Sequence, residues 1–179
     1  MRYAVRRDDP RLLRANERIR PIAAAKNLLA PVRASRVVNA KRERAFEIFA
    51  HELAQWWPRG YTFSGEKLAA IGIEPVAGGR WFECDIDGRE IAWGDVRAFD
   101  PGKRLVLSWA IGAQRQPEAP RHASEIEIRF VQEGWRQTLV TVEHRQFARH
   151  GQGAEQMREG MASPLGWSFL LDCYAERVG

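Results

Sequence analysis

The spacing of apolar residues divides the chain into an early helical stretch, a long stretch of alternation and a second helical stretch. Before the first helix, the short β-branched run from Val32 to Val38 predicts a strand. One helix face then follows at spacings of three, four and three residues, formed by Phe46, Phe49, Leu53 and Trp56. We expect Asn39 to cap this helix and Pro58 to end it.

From residue 73 onwards, apolar and polar residues alternate, as in antiparallel strands with one buried face. Asp87-Gly88 is a hairpin signal, and the turn Asp100–Lys103 separates the next two strands. Residues 58–72 lack a clear period and are predicted to be loop with at most a helical turn. Residues 112–122 hold two prolines and are predicted to be an exposed loop.

The two strands after that loop alternate strictly. The first has a predicted buried face of Ile126, Ile128 and Phe130, and a predicted solvated face that includes Glu125 and Glu127. The second strand places four residues on one face, namely Thr138, Val140, Val142 and His144.

Helical spacing returns after Gly151, and Ser163-Pro164 supplies a cap followed by proline at the first helical position. The buried face of this last helix is predicted to hold Trp167, Leu170, Leu171 and Tyr174. The order of strand, helix, meander and helix predicts an α+β fold with helices on one face of an antiparallel sheet.

The charge is concentrated at one end of the chain. The formal net charge is +5, but residues 1–44 carry nine more basic than acidic residues. We expect a basic arm, residues 1–31, with a short helix from Asp9-Pro10 to Pro21, followed by a single domain, residues 32–179. The arm is interpreted as a solvated extension, since Tyr3 is its only aromatic residue and base stacking is unsupported. Nucleic-acid binding is therefore disfavoured, although a homodimer through the leucines and alanines of the arm stays open.

Several classes of protein are excluded or disfavoured. Two cysteines rule out a disulfide scaffold, and the four histidines lack metal-ligand spacing, so no metal is expected. The phosphate loop, the dinucleotide fingerprint and the nucleophile elbow are absent, so no cofactor is expected. No stretch approaches the roughly 20 apolar residues of a membrane span, so no membrane partner is expected. The composition fits a cytoplasmic location.

A series of short motifs runs through residues 32–179 in a fixed order: Trp56-Trp57, Gly78–Glu83, Asp87-Gly88, Trp93–Val96, Asp100-Pro101, Leu105–Trp109, Ser124–Phe130, Glu143–Arg145 and Gly166-Trp167. The ordered set resembles the START/Bet v 1-like (SRPBCC) superfamily, in the bacterial branch related to the activator of the Hsp90 ATPase. The resemblance implies a helix-grip fold: a curved antiparallel sheet wrapped around a long C-terminal helix, with a pocket between them. Residues 1–31 have no counterpart in the family pattern.

The resemblance implies several functions, because members include lipid and hormone carriers, polyketide cyclases and aromatases, and chaperone regulators. The eukaryotic chaperone activator carries an Asn-rich N-terminal domain with a Trp-His-Trp motif, which this chain lacks. A chaperone- or stress-related interaction protein therefore stays open, but no motif supports a chaperone partner.

The leading hypothesis is non-catalytic binding of a small apolar or aromatic molecule between the sheet and the C-terminal helix. Its predicted contacts are Trp81, Trp93, Trp109, Trp167 and Leu171, with Glu83 or His144 setting the orientation. The alternative for each tryptophan is that it only fills the core.

The second hypothesis is an enzyme of the cyclase, aromatase or dehydratase type, in which Glu83 and His144 act as acid and base. Burial would raise the pKa of the glutamate and lower that of the histidine, which suits proton transfer. Both hypotheses depend on strand register, because the opposite register would turn Phe82 and Cys84 inward and Glu83 to water.

Overall fold

A computed structural model of the protein describes residues 29–179. This described part of the chain contains seven strands: β1 (Val32–Val38), β2 (Leu68–Ile73), β3 (Arg80–Asp85), β4 (Glu90–Asp100), β5 (Arg104–Trp109), β6 (Ser124–Gly134) and β7 (Gln137–Arg145). The helices are α1 (Arg42–His51), α2 (Leu53–Trp56), α3 (Ala154–Ala162) and α4 (Phe169–Val178). Within the described residues, no helix combines the length and apolar character needed to span a bilayer. The helix predicted between Asp9 and Pro21 lies outside the described residues.

The strands form one antiparallel sheet in the order β1-β7-β6-β5-β4-β3-β2. Helices α1 and α4 pack on its inner face, so the predicted α+β helix-grip fold is confirmed. Strand β2 is a correction to the predicted loop 58–72. It pairs with β3 at the sheet edge, and its buried positions are only Ile71 and Ile73, too few to show a period in the sequence.

The first helical region is interrupted where the sequence predicts one helix. Helix α1 ends at His51, and the short α2 follows Glu52, so the region ends two residues before Pro58. The predicted Asn39 cap is wrong, because Lys41 occupies the N-cap position and makes no side-chain cap bond. The predicted apolar face is correct, and all four of its residues are buried: Phe46, Phe49, Leu53 and Trp56.

The C-terminal helical region is also divided. Pro164 opens a wide π-type turn, Pro164–Ser168, and α4 follows it. The division occurs at Gly166, whose ψ of −134° is not helical and where a Cβ would overlap the carbonyl oxygen of Met161. The predicted buried face is confirmed, and the Tyr174 hydroxyl donates a hydrogen bond to the Ala45 carbonyl across to α1 (2.8 Å). Burial raises the pKa of Tyr174 well above its ordinary value.

The outer face of the sheet contains a buried carboxylate that the sequence analysis places in solvent. Glu127 is only 6% exposed and lies within 2.7 Å of guanidinium nitrogens of Arg104, Arg129 and Arg145. Burial by itself would raise the pKa of Glu127, but the hydrogen bonds from Arg145 and Arg104 outweigh it and hold the pKa below its usual value. The strict alternation predicts the direction of the side chain correctly, but long arginines from the neighbouring strands cover it.

Candidate functional site

Strand β3 has the register that turns Trp81 and Glu83 towards the helices. Glu83 has no exposed surface, and Trp81 is 1% exposed, whereas Phe82 and Cys84 on the other face are half-buried. Strand β4 continues the inner face with Trp93, which is fully buried. The inward register is therefore the one on which the functional hypotheses depend.

Five tryptophans form one continuous cluster between the sheet and the C-terminal region: Trp57, Trp81, Trp93, Trp109 and Trp167. Ring centroids lie 5.3 Å apart for Trp81 and Trp93, 5.5 Å for Trp81 and Trp109, and 6.1 Å for Trp109 and Trp167. These distances and steep interplanar angles are typical of edge-to-face packing. The indoles therefore fill much of the space where the sequence analysis places the ligand.

Glu83 is saturated with hydrogen bonds from protein donors. Its Oε2 accepts from the Phe63 backbone N–H (3.0 Å) and from Trp93 Nε1–H (2.9 Å). Its Oε1 accepts from both the backbone N–H (2.7 Å) and the hydroxyl (2.5 Å) of Ser64. Four donors from the protein replace the solvent contacts that a buried carboxylate loses. Glu83 thus anchors the segment around residues 63–64 onto β3 and β4.

His144 lies in a second buried polar network, at the other side of the indole cluster. Its Nδ1 accepts a hydrogen bond from Trp167 Nε1–H (3.1 Å), so the neutral ring carries its proton on Nε2. That Nε2 lies 2.7 Å from the Ser124 hydroxyl and donates to it. Burial, and then the nearby His150, keep the pKa of His144 well below 6.5. His144 is therefore neutral at physiological pH.

The network continues outward from Ser124 to a carboxylate. The Ser124 hydroxyl lies 2.8 Å from His150 Nε2, and His150 Nδ1 lies 2.7 Å from Glu118 Oε2. Because Ser124 already accepts from His144, its own O–H donates to His150, whose Nδ1–H then donates to Glu118. In this network, the Ser124 hydroxyl and all four imidazole nitrogens have a partner of the right kind. Its geometry ties the loop before β6 to the C-terminal region.

The proposed acid–base pair is not assembled in one place. Glu83 contacts Trp93, His144 contacts Trp167 and packs against Trp109 with ring centroids 5.6 Å apart, and no hydrogen bond joins the two residues. The indole cluster lies between them. The structure therefore brings each predicted polar residue to the inner face but not to a shared opening.

A cavity of about 190 Å³ opens at one end of the indole cluster, between the segment after α2, the end of β5 and helix α3. Its wall is mostly aromatic and apolar, with Trp57, Tyr61, Phe63, Trp109, Ile111, Gly112, Ala113, Arg115, Gln156, Met157, Gly160, Met161, Leu165, Gly166 and Leu170. Of the predicted ligand contacts, Trp109 lines this cavity, while the others lie elsewhere in the core: Trp81, Trp93, Trp167, Leu171, Glu83 and His144.

Polar groups at the cavity are few. The Tyr61 hydroxyl donates to the Leu165 carbonyl (2.9 Å), and Arg115 donates to the Gly60 carbonyl (2.8 Å). Arg115 is the one charged residue in the wall among the described residues, and Gln156 is its one side-chain amide. Across residues 29–179 no cluster of His, Cys, Asp and Glu suited to a metal ion occurs.

Sequence reasoning missed most of the wall. Tyr61 and Phe63 belong to a segment without hydrophobic period, and Arg115 belongs to a loop predicted to be merely exposed. A signal was present in Tyr61 and Phe63, which are two aromatic residues in a stretch that otherwise reads as loop. Their convergence with α3 depends on long-range packing, which no local pattern records.

Solved structures with this fold include proteins of different activity. The anthrahydroquino-γ-pyrone synthase Txn09, in a complex with SUM, is 38% identical to this chain, with a TM-score of 0.58. The match covers 82% of this chain and 96% of the Txn09 chain. The self-sacrificing resistance protein CalC from Micromonospora echinospora is 29% identical, with coverage of 85% and 96% and a TM-score of 0.60. The Aha1 dimer from Colwellia psychrerythraea is 13% identical, with coverage of 83% and 96% and a TM-score of 0.54, and it shows the fold alone.

A comparison with curated protein sequences finds no match. A family model described as activator of Hsp90 ATPase homolog 1-like protein matches residues 39–166, which span the sheet from the end of β1 to the turn before α4. The match includes the cavity wall from Trp57 to Gly166. This chain therefore belongs to the activator of Hsp90 ATPase homolog 1-like family, within the START/Bet v 1-like superfamily.

Proposed function

We propose that this protein binds a planar aromatic small molecule in the cavity beside Trp109. The observation that carries the proposal is the wall, in which Trp57, Tyr61, Phe63 and Trp109 surround an open space of about 190 Å³. Aromatic rings favour offset or edge-to-face contacts with other rings, and binding pockets are usually apolar with a few orienting polar groups. This wall has that composition.

The size of the cavity limits the ligand. Pockets for drug-sized ligands usually measure about 300–1,000 Å³, and this cavity is smaller, at about 190 Å³. We expect a small fused-ring molecule, or one end of a larger one whose remainder lies at the mouth. The name of the 38% identical synthase Txn09 describes a fused-ring aromatic compound, which supports the same ligand class.

The buried polar residues then act on the cavity indirectly. Glu83 holds the backbone of Phe63, a wall residue, and His144 holds the indole of Trp167, which packs against the wall residue Trp109. The predicted orienting role of Glu83 and His144 becomes a proposal that they position wall residues. The fixed rings reduce the loss of side-chain freedom on binding, which favours affinity.

The test is a titration with anthraquinone-2-carboxamide, a neutral planar probe, followed by quenching of tryptophan fluorescence and by calorimetry. The blocking variant is Gly160→Leu, because Gly160 lines the cavity and a Cβ there would meet no atom within 4 Å. Leucine also has the higher helix propensity, so α3 is not weakened. The matched control is Glu159→Leu, on the neighbouring exposed position outside the wall.

We expect saturable binding to the wild type and to Glu159→Leu, and loss of binding in Gly160→Leu. Equal binding to all three proteins would place the probe elsewhere and would overturn the proposal. Absence of binding to the wild type would do the same for this ligand class.

A second candidate is catalysis of ring closure on an aromatic substrate, favoured by the 38% identity to Txn09. The wall group that fits proton transfer is the Tyr61 hydroxyl, because Glu83 and His144 do not reach the cavity. A suitable probe is an aryl ring with a hydroxyl next to an alkynyl ketone. Addition of the phenol oxygen to the alkyne closes the γ-pyrone, and the phenol proton ends on carbon, so no oxidant is needed. Turnover above the buffer rate that falls in both Gly160→Leu and Tyr61→Phe would support this candidate, and a rate equal to buffer would exclude it for this substrate.

A further inference from the structure

The loop between β5 and β6 holds an arginine in a backbone conformation that favours glycine. The Arg115 N–H donates to the Gly112 carbonyl, and the Gly112 N–H donates to the Gln116 carbonyl (both 2.8 Å), beside the bridge between Ile111 and Pro117. This is the pattern of a three-residue hairpin loop, a turn followed by one left-handed residue. Arg115 is that residue, with φ of +57°.

A non-glycine residue at this position is less favourable than glycine, because its Cβ crowds the backbone. The side chain of Arg115 makes defined contacts across the cavity. It reaches the segment after α2, where it donates a hydrogen bond to the Gly60 carbonyl. Its guanidinium carbon lies 5.8 Å from the ring centroid of Tyr61. Both Arg115 and Tyr61 belong to the cavity wall.

The guanidinium is an unneutralised cation at the cavity. Many arginines of the described chain form ion pairs, but Arg115 has no carboxylate within 4.0 Å among residues 29–179. Its one hydrogen-bond acceptor there is the neutral Gly60 carbonyl. A guanidinium presents five N–H donors in a planar fork that matches a carboxylate or a phenolate, so most of its donors stay available.

Resting on the proposed function, we propose that Arg115 selects ligands that carry an acidic group on the aromatic ring system, at the end that faces the mouth. The rings pack against Trp57 and Trp109 inside, and the anionic oxygen atoms meet the guanidinium at the rim. The wall supplies no competing negative charge among its described residues. The preferred ligands are therefore aromatic carboxylates or phenolates, which should bind more tightly than a neutral ring of the same shape.

The experiment compares anthraquinone-2-carboxylate with the isosteric anthraquinone-2-carboxamide in calorimetric titrations at low and high salt. For the wild type, we expect the carboxylate to bind about two- to fivefold more tightly at low salt, the range expected of a charge pair near a surface. The ratio of the carboxylate affinity to the carboxamide affinity should fall towards unity in Arg115→Gln and stay above unity in Arg115→Lys. Added salt should reduce the ratio, because exposed charges are screened.

Three controls separate the possible causes. Arg115→Gly removes the side chain and relieves the positive φ, so a lost ratio in that variant cannot come from backbone strain. Arg121→Gln removes a different exposed arginine outside the wall and should keep the wild-type ratio. Gly160→Leu should abolish binding of both probes, whereas carboxylate held by the basic arm would still bind.

The outcomes distinguish the two proposals. Equal affinities of the wild type for the two probes would overturn the role of Arg115 and leave the cavity proposal standing. An affinity ratio that is unchanged in Arg115→Gln and Arg115→Gly would do the same. Failure of the carboxamide to bind the wild type would overturn the proposed function, and the role of Arg115 would fail with it.

Discussion

The Ser124 hydroxyl lies 2.7 Å from Nε2 of His144, in a buried part of the core. The same oxygen lies 2.8 Å from Nε2 of His150, so one hydroxyl both accepts from one imidazole and donates to the other. The buried network that results links β6, β7 and the segment after β7. Its members can be tested one by one.

Removal of the Ser124 hydroxyl should destabilise the fold. In Ser124→Ala, the N–H of His144 and the Nε2 acceptor of His150 both lose their partner, and an unsatisfied buried polar group costs about 1–3 kcal/mol. We expect a loss of that size in the free energy of unfolding, measured by urea denaturation. Ser35→Ala, at an exposed serine of β1, is the control and should change stability little. Equal stability of the two variants would show that the network contributes nothing.

The stability of the protein should decrease as the pH falls through the ordinary range of histidine. The folded state keeps the pKa of His144 well below 6.5. The unfolded chain therefore binds a proton at this histidine near pH 6.5, whereas the folded chain does not. Stability is therefore full above that pH and is lost below it, by up to about 1.4 kcal/mol per pH unit for one proton.

The measurement is the free energy of unfolding as a function of pH in wild type and in His144→Gln. The glutamine does not titrate, so the slope on the acid side should be shallower by up to one proton, whatever the variant's absolute stability. His122→Gln, at an exposed histidine, should keep the wild-type slope. Parallel curves for wild type and His144→Gln would contradict the prediction.

Neutralising Glu83 should release the segment around residues 63–64. Both oxygens of Glu83 accept hydrogen bonds, and the amide nitrogen of Glu83→Gln would face donors instead. Hydrogen bonds to a charged group contribute about 1.5–3 kcal/mol each, and the amide nitrogen replaces an oxygen that accepts two of them, so we expect a loss of about 3–6 kcal/mol. Hydrogen exchange should locate the faster opening at Phe63 and Ser64.

The control for Glu83 is Glu66→Gln, at an exposed position of the same segment. Unchanged exchange at Phe63 and Ser64 in Glu83→Gln would show that the carboxylate is not their anchor.

Of two glycines in the sheet, we expect only one to lose stability when it is replaced by alanine. At Gly94, next to Trp93, a Cβ would overlap the Ser108 carbonyl, whereas at Gly72 in β2 it would meet no atom within 4 Å. Crowding of this kind costs about 1–3 kcal/mol, while an open surface position changes stability by less than about 0.5 kcal/mol. Thermal unfolding should show a clear decrease for Gly94→Ala only, and similar melting temperatures would contradict the close approach of β4 and β5.

The class of fold and the inward-facing sides of β6 and β7 follow from the sequence pattern. Period-two alternation placed Thr138, Val140, Val142 and His144 on one buried face, and the three–four spacing placed the apolar faces of α1 and α4. These predictions succeed because burial of one face is a local periodic property. The ordered motifs from Trp56 to Trp167 added the family, which the match to residues 39–166 confirms.

Long-range packing determines which inward-facing residues line the cavity and which only fill the core. Inward-facing Trp81 and Trp93 pack against other indoles, while Trp109, one strand further on, also lines the cavity. The difference comes from the segments that pack opposite each strand, because Tyr61 and Arg115 reach the cavity from segments without a hydrophobic period.

Glu127 on the outer face shows the same limit. Local alternation places its side chain in water, but arginines of neighbouring strands cover it. A one-dimensional pattern records the direction of a side chain, but its partners depend on long-range contacts.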